Sequence, residues 1–165
     1  MRRNGQKMIA REALRRPFLI LMTLGMLLSP RDLSLRAQGS SVSTLTIRIV
    51  GAKDSNGLVA VALFHGADGF PGDKTKALRT LQARIDPGSM SAQVSLDDLP
   101  HGTYAVAVFH DENMNGRLDT NMLGVPKEGY GFSNITKRSM GPPKFEDARF
   151  ELNQLEQTIE ISLLY

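Results

Sequence analysis

Between Leu45 and Leu163 the chain repeatedly places an apolar side chain at every second position for a few residues, then breaks the run with glycine, proline, asparagine or aspartate. A period of two puts successive side chains on opposite faces of an extended backbone, so each run predicts a strand with one buried face. Leu45, Ile47 and Ile49 share one face of the first run, with Thr46, Arg48 and Val50 on the other. Asn56-Gly57 is a strong two-residue turn signal and predicts a hairpin from that strand into the apolar run at 58–64. Residues 68–73 read as a loop and 74–81 as one or two helical turns. Strands follow at 81–85 and around Ala92, Val94 and Leu96, separated by the turn Asp86-Pro87-Gly88. The corner from Leu99 to Thr103 leads into a strand in which Tyr104, Val106 and Val108 share a face. A tyrosine so placed often hydrogen-bonds back across the corner in β-sandwiches. Residues 145–152 and 158–163 supply the last two strands. About seven short strands with almost no helical period predict an all-β fold, a single Ig-like or transthyretin-like β-sandwich with one long functional loop.

Charge separates the chain into two parts. Eight of its 20 Lys and Arg but only two of its 17 Asp and Glu precede Gln38, so residues 38–165 hold 12 basic and 15 acidic side chains, a net −3. The overall basic balance therefore gives no reason to expect a nucleic-acid partner. The first 16 residues carry six positive side chains, residues 18–28 are apolar except for Thr23 and Gly25, and small residues follow near Ala37. That order is a secretory signal peptide over residues 1–37, followed by one domain at 38–165. An 11-residue apolar run is short of the roughly 20 a membrane-spanning helix needs, so no permanent span is expected once the signal is removed. The expected location is periplasmic or secreted. With no cysteine, neither a disulfide framework nor a lipidated cysteine is available.

Residues 110–134 have a composition that core packing does not explain. Asp111, Asn113 and Asn115 alternate along the chain, Gly116 allows a sharp turn, the Arg117 carbonyl follows, and Asp119 comes two residues later. Oxygen ligands at positions one, three, five, seven and nine of a loop, with glycine at six, suit calcium. Position twelve is Met122 where an EF-hand has a bidentate glutamate, and a strand precedes the loop, so an EF-hand is excluded. What remains is a calcium loop between strands, completed by Glu128 or by backbone carbonyls, with a dissociation constant of ~10⁻⁴–10⁻³ M. The alternative is a hairpin turn at Asn115-Gly116 with Asp111 and Asn113 capping backbone groups.

Tyr130 and Phe132, spaced by glycines, are either a stacking surface for a ligand or anchors that pin the loop to the sandwich. His65 and His110 each end a similar run, VAVALFH and YAVAVFH. Were their strands adjacent, the two histidines with Asp111 would form a set suited to a transition metal or to acid–base chemistry. Both histidines are also candidate ligand contacts.

Three stretches carry a family resemblance: VALFHGADGFP at 61–71, LPHGTYAVAVFHDENMNGRLDTNMLGVPKEGYGFSN at 99–134, and PPKFEDARF at 142–150. They resemble the bacterial secreted family called domain of unknown function 2141. The resemblance implies a single exported β-rich domain and brings no catalytic residue with it. The expected function is a non-enzymatic binding or envelope-associated module with a weak calcium loop, whose partner is a protein, glycan or small ligand. The alternative is a small metal- or His-dependent hydrolase using His65, His110 and Asp111. Transthyretin-like hydrolases are a precedent, although the chain ends in SLLY rather than their closing Tyr-Arg-Gly-Ser.

Overall fold

Eight strands run through the residues described by the computed structural model, 42–138 and 140–165. They are β1 (Val42–Val50), β2 (Leu58–Phe64), β3 (Arg79–Ala83), β4 (Ser91–Pro100), β5 (Gly102–Asp111), β6 (Tyr130–Phe132), β7 (Phe150–Leu152) and β8 (Glu156–Ser162). The signal peptide expected over residues 1–37 lies outside the described residues.

Two sheets form. One has the order β4-β1-β8, and the other has the order β3-β2-β5-β6 with β7 paired to the start of β5. In the first sheet β1 lies antiparallel to β4, with Ile47 opposite Val94, and parallel to β8, with Ile47 opposite Ile159. The alternation decides which side chains meet between the sheets. Leu45, Ile47 and Ile49 of β1, Ala92, Val94 and Leu96 of β4 and Ile161 of β8 join a core with Val59, Val61 and Leu63 of β2 and Tyr104, Val106 and Val108 of β5. Full burial of such a side chain contributes about 1.5–3 kcal/mol. The all-β sandwich expected from the alternation is what forms. The corner is present as well: the Tyr104 hydroxyl donates to the Pro100 carbonyl at 2.7 Å.

Three local expectations are corrected. Asn56-Gly57 does not close a hairpin, because β1 and β2 belong to different sheets. Gly57 sits at φ +65° where the connection presses against β5, and a Cβ there would collide with the Asp111 carbonyl oxygen. Residues 145–152 are a helical turn, Phe145–Ala148, followed by the three residues of β7. Arg149 is extended and ends that turn, its N–H donating to the Phe145 carbonyl. The helical pattern at 74–81 gives only the 3-10 turn Lys74–Lys76, because Arg79 already pairs with Leu63 in the β2–β3 ladder. The long connection after β5 contains β6, which pairs with β5 and returns the chain to the sheet. Among the described residues no helix is long and apolar enough to cross a membrane.

Candidate functional site

Strand β5 pairs with β2, β6 and β7, and its last residues, His110 and Asp111, deliver the acidic loop to one end of the sandwich. Asp111 is 1% exposed. One of its carboxylate oxygens accepts from the Asn115 N–H at 2.9 Å and the other from the Gly116 N–H at 2.8 Å. The Asn113 side-chain carbonyl also accepts from the Asn115 N–H, at 3.0 Å, and that of Asn115 accepts from the Arg117 N–H at 2.8 Å. The two asparagine amides donate to separate oxygens of Asp119, at 2.8 and 3.0 Å. Asp111, Asn113, Asn115 and Asp119 therefore belong to one hydrogen-bonded cluster, wound tightly by Met114 at φ 58° and Gly116 at φ 74°.

Asp111 and Asn113 thus cap backbone N–H groups, as the alternative reading of the loop has it. The asparagine nitrogens, not their oxygens, face Asp119. Met122 is wholly exposed and takes no part. Glu128 is buried, and its oxygens cap backbone N–H groups of Glu112 at 3.0 Å and Asp119 at 2.8 Å, clamping the two ends of the loop together. Lys74 adds an outer tie, its Nζ donating to the Gly116 carbonyl at 3.1 Å.

Behind the loop, His110 is 0% exposed. Its Nε2 lies 2.7 Å from the Asn56 carbonyl and its Nδ1 lies 2.8 Å from the Tyr165 hydroxyl. A carbonyl only accepts, so Nε2 carries a proton; the Tyr165 hydroxyl pairs with Nδ1 and accepts from the Lys53 N–H at 3.0 Å. Burial pushes the Tyr165 hydroxyl above its usual range, partly offset by that N–H. Lys53 pairs with Glu112 at 2.7 Å, and this hydrogen bond raises the Lys53 ammonium pKa. Gly129 leaves room for the Tyr165 ring, which a Cβ would meet at 2.5 Å.

The histidine set weighed as the alternative does not assemble: β2 and β5 are neighbours, but antiparallel. Val59 pairs with His110 and Phe64 with Ala105, so His65, one residue past Phe64, lies roughly 20 Å along the strands from His110. His65 is exposed and packs its ring 4.9 Å from that of Tyr104. With both nitrogens of His110 engaged inside the fold, the pair cannot share a metal or a proton. Among the described residues no three His, Cys, Asp or Glu side chains are grouped to hold a metal; the acidic cluster combines two carboxylates with two amides. Tyr130 and Phe132 are half-buried. Phe132 joins an aromatic cluster through Phe70, which also meets Phe64 and Phe145, while Arg138 lies 5.9 Å over the Tyr130 ring.

Sequence reading missed three contributors. Tyr165 is remote in the chain and carries no spacing signal. Lys74 reaches the loop only through tertiary structure. Asn121, whose side-chain carbonyl accepts from the N–H groups of Leu123 and Val125, was detectable as an Asx-turn residue before Gly124.

A sandwich of this topology, with a long loop leaving the end of β5 and returning at β6, defines a β-rich domain. The chain belongs to a family of uncharacterized proteins conserved in bacteria, domain of unknown function 2141, whose model matches residues 47–160. No curated protein matches the chain. A solved structure, a fimbrial assembly protein from Parabacteroides distasonis, is similar over 74% of this chain and 52% of its own, at 13% identity and a TM-score of 0.40. The chain thus spans about half the length of that protein.

Proposed function

We propose that the protein is an exported, non-enzymatic binding module in which residues 111–134 form a calcium-stabilised recognition loop. The observation that supports this reading is the gathering of Asp111, Asn113, Asn115 and Asp119 into one cluster at the end of β5. Calcium there would offset the mutual repulsion of two carboxylates, with the asparagine amides turning their oxygens to the ion. Export rests on the charge and apolar pattern of residues 1–37. The partner is a protein, glycan, small ligand or surface met by the outer part of the loop.

Thermal melting with calcium and with chelator tests the ion. With a dissociation constant of ~10⁻⁴–10⁻³ M, about 10 mM calcium raises the melting temperature by roughly 4–10 °C. Asp111→Ala lowers the starting temperature by uncapping two N–H groups and abolishes the calcium increment. An unchanged increment in that variant, or none in the wild type, refutes the ion site.

A further inference from the structure

We propose that the tip of the 111–129 loop docks on an anionic lipid surface by inserting Met122 and Leu123 between headgroups. This rests on the reading of that loop as the recognition element and names what it recognises.

The tip has a fixed shape. Thr120 and Pro126 form a β-bridge, the Asn121 N–H donates to the Val125 carbonyl at 2.8 Å, and the Gly124 N–H donates to the Asn121 carbonyl at 3.0 Å. The Asn121 side chain caps the N–H groups of Leu123 and Val125 at 2.9 and 3.0 Å. On this frame Met122 is fully exposed, Leu123 is 88% exposed and Val125 is 45% exposed. A loop whose backbone bonds are closed internally has no structural need of two large apolar side chains at its apex, and it carries little unpaired backbone polarity into an apolar medium.

Charge selects the surface. Asp111 and Glu128 are buried, Asp119 is half-buried against the two asparagines, and Glu112 is paired with Lys53. Arg117 and Lys127 are exposed and have no ion pair among the described residues. Lys74 stands beside the loop, and the neighbouring exposed acid, Asp73, is turned to Thr75. The apex is therefore apolar and its shoulders basic, the pattern of an interfacial anchor on anionic lipid. The spacing fits: Lys127 directly follows the bridge, and the turn closed between Asn121 and Gly124 sets the apex only two residues beyond Thr120. Interfacial segments insert by roughly 5–10 Å, and a tip this short then brings Lys127 to the headgroups.

The chain has no tryptophan, so a single one reports locally. The full-length Leu123→Trp variant is mixed with phosphatidylglycerol vesicles, with phosphatidylcholine vesicles, and with each containing brominated lipid. Leu155→Trp, at the β1 end away from the loop and 75% exposed, is the control for adhesion by any other segment. The expected result is a blue shift and bromine quenching for Leu123→Trp on anionic vesicles alone and none for Leu155→Trp. Adding Lys127→Glu weakens the effect at least about fivefold. Solvent-like emission on anionic vesicles, equal quenching on both lipids, or equal quenching of the control overturns the proposal. So does a blue shift without vesicles that grows with protein concentration, which would mean a second copy covers the tip. The melting assay in calcium is read separately, so a lost lipid response with an intact calcium increment removes the lipid surface and leaves the ion site standing.

Discussion

At the residue scale, Glu128 holds the loop as a loop. Its buried carboxylate satisfies the N–H groups of Glu112 and Asp119, sixteen and nine residues earlier. Glu128→Ala orphans both donors and is expected to cost about 2–4 kcal/mol, read as a lower urea midpoint. Tyr165 gives a pH signature. Burial raises its pKa, so between its ordinary value near 10 and the raised one the native state holds a proton that the unfolded chain has lost. Its contribution is complete below pH about 10 and disappears as pH rises through the folded value. Lys53 and Tyr104, both raised, act with the same sign. The fall in melting temperature from pH 9 to 11 should therefore be shallower in Tyr165→Phe than in the wild type, though not absent; an identical slope contradicts the part-buried His110–Tyr165 contact. At this scale spacing was a good guide to which side chains gather, as in Asp111, Asn113, Asn115 and Asp119. It was silent about Tyr165, whose role depends on the parallel pairing of β8 with β1.

At the scale of elements, the strands were legible because alternation and burial are one property: Leu45, Ile47 and Ile49, and again Ala92, Val94 and Leu96, all face the core. The hairpin at Asn56-Gly57 was misread for a physical reason. The pair signals a positive φ at glycine, which Gly57 has, but the same conformation serves a close approach to β5 as well as a turn. The three-residue β6 was missed because Tyr130-Gly131-Phe132 is too short to show a period. Gly131 permits the approach of β8: a Cβ there would lie 2.7 Å from the Ser162 carbonyl oxygen and 2.8 Å from an Ile161 methyl. Gly131→Ala should cost about 1–3 kcal/mol by overpacking, measured by chemical denaturation. Unchanged stability would mean that β6 and β8 are not seated together.

At the scale of the molecule, the described sandwich carries one elaborated end. The β5 strand, tied to three neighbours, fixes Asp111, and Glu128 and β6 return the chain to the sheet, leaving an ordered loop with a polar cluster at its base and an apolar apex. The paired histidines that suggested a hydrolase are separated by the length of the β2–β5 ladder. The calcium loop is the central claim, and a backbone amide titration by ¹⁵N–¹H NMR tests it most directly. With calcium added to about 10 mM, the amides of Asn115, Gly116 and Arg117 should shift together and saturate with a dissociation constant of ~10⁻⁴–10⁻³ M, while those in the middle of β1 stay fixed. Amides of the loop that do not move over that range would contradict it.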